Sequence, residues 1–147
     1  MGQGLKVYDS TSVTIVAMGL PIDSTGGYAD DEFLTIDQDS NDFDDVVGTD
    51  GEVTRNKTND GRATITIKLM QSSSSNALLS VLRNLDVAAP NGAGVGPLLV
   101  RDRQGTSLYT ASKCWISKPP KVSFAKGAQS REWTLRCADL KRLDGGN

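Results

Sequence analysis

The stretch Arg62-Ala63-Thr64-Ile65-Thr66-Ile67-Lys68-Leu69-Met70 alternates without a break: Ala63, Ile65, Ile67 and Leu69 take every second position, and Thr64, Thr66 and Lys68 lie between them. Only a β-strand turns that pattern into one apolar and one polar face, because successive side chains point to opposite sides. Wound as a helix, the same residues would scatter their aliphatic groups around the whole circumference. The chain must therefore supply partner strands and a core to cover the apolar face.

Those partners are legible. Tyr8 to Met18 is rich in Ser, Thr and Val and reads as a strand ended by Leu20-Pro21. Asp23-Ser24-Thr25-Gly26-Gly27 has turn chemistry, and Phe33 to Asp37 is a second strand with Leu34 and Ile36 on one face. Asp42 to Val47 and Glu52 to Lys57 flank Asp50-Gly51, a hairpin signal. Asn59-Asp60-Gly61 is a further turn. Leu98 to Asp102 and Ser107 to Ile116 read as a hairpin, and Lys121 to Phe124 with Glu132 to Leu140 as a last one, after the break at Pro119-Pro120. The period changes once. Four serines from Ser72 offer N-caps, and Leu78, Leu82 and Leu85 fall at i, i+4 and i+7, which predicts a helix whose stripe packs on the sheet. The expectation is a mainly β protein: an antiparallel β-sandwich or barrel with one flanking α-helix. The 147 residues suit one domain over 1–147. Within it we expect a long acidic hairpin or loop over about 37–60, a helix over about 75–87 and a flexible tail over about 144–147.

Composition removes most chemistry. With no histidine, Ser-His-Asp and Cys-His nucleophiles and ordinary His/Cys zinc sites are absent. The two cysteines, Cys114 and Cys137, read as small buried hydrophobes, and whether they pair stays open. Asp37, Asp39 and Asn41 fit the first positions of an EF-hand loop, but Asp42 stands where Gly is required and Gly48 where a bidentate Glu is required. Gly92, Gly94 and Gly96 follow a helix instead of opening one, so they read as a loop and not as a dinucleotide fingerprint. Clustered carboxylates in hairpin loops with few nearby aromatics make a poor sugar site. No enzyme, no cofactor, no metal and no sequence-specific nucleic-acid binding are expected. No apolar run is long enough to span a membrane, and the first residues lack the layout of a signal peptide, which predicts cytoplasmic synthesis. Lys6 argues against myristoylation at Gly2.

The charge layout is uneven. From Val7 to Thr54 there are acids and no Lys or Arg, and seven of those acids lie between Asp37 and Arg55. Beyond Thr54 bases prevail, yet the net charge is only −2. A solvated loop accounts for this, and so does a self-assembling subunit that offers opposite poles to its neighbours.

The stretch VVGTDGEVTRNKTNDGRATITIKLMQSSSSNALL, from Val46 to Leu79, resembles tail tube proteins of contractile-tailed bacteriophages. FLTIDQDSNDFDDV before it, GVGPLLVRDRQG after it and the closing REWTLRCADLKRLDGGN fit the same family, so the resemblance covers nearly the whole chain. It implies a small β-barrel or sandwich, shared with pyocin and type VI secretion tube subunits. It further implies hexameric rings that stack into the inner tube carrying DNA from capsid to host while the sheath contracts. The implied partners are other copies of the chain, the sheath, the baseplate or initiator, the tail terminator, the tape measure protein and DNA in the lumen, in a virion assembled in the host cytoplasm.

Stacked rings need two different complementary surfaces. Asp42, Phe43, Asp44, Asp45, Val46, Val47, Asp50, Glu52 and Arg55 are the candidates for contacts between rings or subunits. Asp37, Asp39, Thr64, Thr66 and Lys68 are candidates for the lumen wall, where a neutral-to-negative lining would deny phosphates a grip. Thr64 and Thr66 equally suit an ordinary outer surface. A head decoration protein and a tube-like terminator or baseplate subunit are the alternatives.

Overall fold

In the computed structural model, residues 5, 8, 13–22, 33–89, 91 and 94–146 are described. Their order is β1 (Val13–Ala17), β2 (Leu20–Ile22), β3 (Leu34–Gln38), β4 (Phe43–Val47), β5 (Val53–Lys57), β6 (Ala63–Met70), α1 (Ser75–Ala88), β7 (Gly96–Asp102), β8 (Leu108–Lys118), β9 (Ser130–Cys137) and β10 (Leu140–Leu143). All pairings are antiparallel, and one sheet runs β2-β1-β7-β8-β9-β6-β3, with β10 also on β8. The fold is mainly β with one helix among the described residues, as the patterns predict. The turn expected at 23–27 lies outside the described residues.

The alternation that opens the reading is realised in β6. Ala63, Ile65, Ile67 and Leu69 are fully buried, and Thr64, Thr66 and Lys68 face away from the core. Each buried aliphatic side chain contributes roughly 1.5–3 kcal/mol. β6 is flanked on both sides. Ile65 stands between Ile36 of β3 and Leu135 of β9, and Ile67 between Leu34 and Trp133. β8 is the long strand that bends the sheet. Its first half pairs with β7 on one side and β10 on the other, and its second half pairs with β9. β9 and β10 thus form one interrupted line along β8, broken at Ala138-Asp139. Residues from β1, β2, β6, β7, β8, β9 and α1 meet in a single core.

Five sequence expectations are corrected. Leu20-Pro21 does not end the first strand's sheet. Met18 and Gly19, both with positive φ, make a two-residue turn of the twisted kind that hairpins favour, and β2 folds back on β1. Pro21 is exposed there, in a strand at the end of the pairing path, where a missing N–H costs little. Lys121 to Phe124 is not a strand, because β8 already pairs with β9 as far as Lys118↔Thr134 and leaves that segment no edge to join. Glu132 to Leu140 is split by the break between β9 and β10.

The helix stripe is also turned. Leu79 is fully buried, Leu82 is half-buried, and Leu78 and Leu85 are exposed at 45% and 52%. The inward row is Ser75, Leu79, Leu82 and Asp86, again at i, i+4, i+7 and i+11. Three contacts fix that phase. Trp133 Nε1 donates to Asn76 Oδ1 (2.9 Å), Asn76 Nδ2 donates to the Met70 carbonyl (2.9 Å), and the Gly94 amide donates to Asp86 Oδ1 (3.2 Å). Finally, where a loose tail was expected, Asp144 accepts from Tyr109 and Arg142, and the Gly145 carbonyl accepts from Ser107 Oγ.

Cys114 and Cys137 stand directly opposite each other in β8 and β9, both buried and both free. Cys114 donates to Cys137, and with burial this pushes the Cys114 thiol up. A thiol that stays protonated is a poor nucleophile. The same hydrogen bond holds the Cys137 thiol down, so there it is full burial that protects, and maleimide is expected to label the native protein at well below one equivalent and both cysteines once denaturant is added. Fast stoichiometric labelling of the folded protein would contradict this burial.

Candidate assembly surfaces

β4 and β5 pair only with each other, and every residue of both strands is exposed. Strands of five residues make an arm about 17 Å long that stands off the main sheet. Gly51, at φ +88°, closes its tip, the Gly48 amide donates to the Glu52 carbonyl (2.7 Å), and the Glu52 amide donates to Asp50 Oδ1 (3.1 Å). A Cβ on Gly48 would lie 2.9 Å from Asp50 Oδ1, so a small residue suits this turn.

The register sorts the predicted contact residues onto two faces. Phe43, Asp45 and Val47 of β4 stand opposite Lys57, Arg55 and Val53 of β5. Arg55 lies over the Phe43 ring at 4.2 Å, a cation–π contact that stiffens this face. Asp44 and Val46, opposite Asn56 and Thr54, form the other face. Both faces carry apolar and acidic groups side by side. Among the described residues, no cation forms an ion pair with Asp42, Asp44, Asp45, Asp50 or Glu52. Asp42 instead accepts from Gln38 Nε2 (2.8 Å) at the base of the arm. Asp45 faces Arg55 across the ladder without closing an ion pair, and the acids of the arm outnumber its two cations. Among the described residues, no three His, Cys, Asp or Glu side chains gather as a metal site.

A second surface is the outward face of β3, β6 and β9. Thr35 and Asp37 stand opposite Thr66 and Thr64, which stand opposite Thr134 and Arg136. Thr64, Thr66, Lys68 and Asp37 therefore share one face, and Asp39 lies at its margin. Arg136 joins them: its Nη1 donates to Thr64 Oγ1 (2.6 Å) and Asp39 Oδ1 (3.0 Å), and its Nη2 donates to Asp39 Oδ2. Lys68 faces Glu132 across the β6–β9 ladder. Each cation on this face thus has a carboxylate beside it, and Asp37 is left over. Sequence reasoning missed both Arg136 and Glu132. Asp39 and Arg136 are 97 positions apart, and only the sheet order brings them together.

A third surface surrounds Arg131. β9 turns Arg131, Trp133, Leu135 and Cys137 inward, so a guanidinium occupies a position equivalent to three core residues. The alternation of REWTLRC includes this residue one step before the apolar run, which is the signal that could have found it.

The model of the bacteriophage PhiTE tail tube protein family matches residues 7–145. The chain belongs to that family. It is also 29% identical over 146 residues to "Structural protein ORF10" of Pseudomonas phage KPP10, covering 97% of this chain and 84% of that protein. Among solved structures, the tube-terminating cap of the anti-feeding prophage superimposes with TM-score 0.58 at 8% identity, covering 95% and 93% of the two chains. The sheath/tube terminator of the extracellular contractile injection system PVC gives 0.57 at 10% identity, covering 95% and 99%. At these identities the likeness is one of fold. This tail tube protein is a structural component of a phage tail and not an enzyme.

Proposed function

We propose that this tail tube protein forms hexameric rings that stack head to tail into the inner tube of a contractile tail. The tube conducts DNA from capsid to host while the sheath contracts around it. The observation that carries the reading is the β4–β5 arm, wholly exposed and net acidic, whose acids form no ion pair with a described residue. An arm of this kind suits a heterologous contact, in which one surface meets a different surface on the next copy and the contact propagates. Asp42, Asp44, Asp45, Asp50 and Glu52 supply charge that fixes register, and Phe43, Val46 and Val47 supply the apolar anchor, with Arg55 held over Phe43.

The outward face of β3, β6 and β9 is the proposed lumen wall. Its cations, Lys68 and Arg136, sit beside Glu132 and Asp39, which leaves phosphates no free cationic anchor there. β2 and β3 end the pairing path among the described residues, which suits edge-to-edge joining of strands between subunits. Sheath, baseplate or initiator, terminator and tape measure protein are the further partners, and assembly takes place in the host cytoplasm.

Two of the similar solved structures are a tube-terminating cap and a sheath/tube terminator, which favours a second reading: a tube-like subunit that stops at one ring. Electron microscopy of the purified protein across a concentration series separates the readings. Long tubes are expected, with a lumen whose lining is neutral or negative. Single hexameric rings would support the terminator reading, and trimers a head decoration protein. A monomer at every concentration, even with tail-assembly partners added, would refute the proposal. A lumen lined by unpaired Lys and Arg would overturn the conduit mechanism.

A further inference from the structure

Arg131 is 8% exposed, and its Nη1 is buried without a hydrogen-bond partner. Burying a cation unpaired is expensive, whereas a carboxylate partner with good geometry offsets the cost. The Phe124 ring lies 5.5 Å from the guanidinium carbon, but a ring face supplies no acceptor for Nη1. Arg131 borders a hollow of about 210 Å³ between α1 and the 119–122 segment. Arg83, Ser80 and Asn84 of α1 line it together with Pro120 and Trp133. Among the described residues the lining holds two guanidiniums, a hydroxyl and amides, and no carboxylate. This donor set fits the planar, two-oxygen geometry of a carboxylate, which arginine binds with paired N–H groups.

We propose that the Arg131 pocket is a carboxylate receptor, and that it takes an acidic side chain, Asp50 or Glu52, from the β4–β5 tip of a second copy. The proposal rests on the assembly reading and names the surface that receives the arm. The complementarity is specific. The tip presents acids that form no ion pair with a described residue, at the end of an arm about 17 Å long, and the pocket is walled by the Arg83 and Arg131 side chains with no carboxylate between them. Docking would give the acids cationic partners and repeat the contact around the assembly.

Full-length Arg131→Met tests the receptor, because a methionine fills the site without a charge and the fold should survive. Circular dichroism and melting are expected to match wild type, while the concentration needed for assembly rises by about tenfold or more. Asp50→Asn with Glu52→Gln should give a similar rise, and combining both sets should add little, since both remove one contact. Independent, multiplying effects would overturn the pairing, as would Arg131→Met assembling at the wild-type concentration. If Asp44→Lys with Asp45→Lys blocks assembly while Arg131→Met does not, the assembly reading stands and the receptor fails. A wild type that never assembles sinks both. Should Arg131→Met fail to fold, Glu52→Cys with Arg83→Cys gives a second test: oxidation of the assembled protein should yield a ladder of covalent multimers. Absence of the ladder overturns the proposal. Added inorganic phosphate is expected to weaken assembly by competing for the pocket. Phosphate that raises the melting temperature without weakening assembly would mark a free-anion site and overturn the assignment to the arm.

Discussion

Asp44→Lys combined with Asp45→Lys is expected to abolish tubes while leaving the subunit folded. Both residues are exposed, both lie in strands that pair only with each other, and neither forms an ion pair with a described residue. Surface changes of this kind usually shift stability by no more than about 0.5 kcal/mol, so the melting temperature should move by only about 1–2 °C. At an interface the result differs. Like charges brought together across a repeated contact cost several kcal/mol, which is enough to eliminate growth at accessible concentrations. Electron microscopy and thermal melting on the same sample read both effects. Normal tubes from the double variant would show that the acidic arm does not carry the contact.

The second large effect is opposite in kind. Leu79→Ala should destabilise the subunit by about 2–5 kcal/mol, lowering its melting temperature by on the order of 10 °C. Leu78→Ala, one position earlier, should cost about 0.5 kcal/mol or less. Leu79 is fully buried in the core shared with β6 and β9, whereas Leu78, roughly 100° further round α1, is half exposed. Denaturant melts of the two variants decide it. Equal losses, or a larger one at Leu78, would restore the stripe read through Leu78, Leu82 and Leu85.

That contrast marks how far sequence reasoning carries. β6 is legible because a period of two has only two phases, and one of them puts Thr64, Thr66 and Lys68 into the core. α1 is legible as a helix but not in its rotation. Leu78, Leu79, Val81, Leu82 and Leu85 form a wide apolar arc, Leu82 belongs to either stripe, and the small Ser75 and the Trp133–Asn76 hydrogen bond decide which side turns inward. The arm is legible from Asp50-Gly51 and its flanks, because turn chemistry is local. Lys121 to Phe124 has the alternation of a strand, but whether an edge is free to receive it depends on β8 and β9, which are remote in sequence. Arg131, Glu132 and Arg136 were passed over for the same reason. A charge reads as surface until the sheet order shows what stands beside it.

The independence of the β4–β5 arm has a consequence for how such proteins change over generations. Because the arm contributes nothing to the core cluster, substitutions along it leave intact what makes the subunit fold and, on the proposed assembly, would change what it recognises. On that assembly a lineage could drift from one set of neighbours to another a single charge at a time, every intermediate still folding. The same separation makes the arm a transplantable segment: moved between relatives with its receiving surface, it would carry partner choice with it.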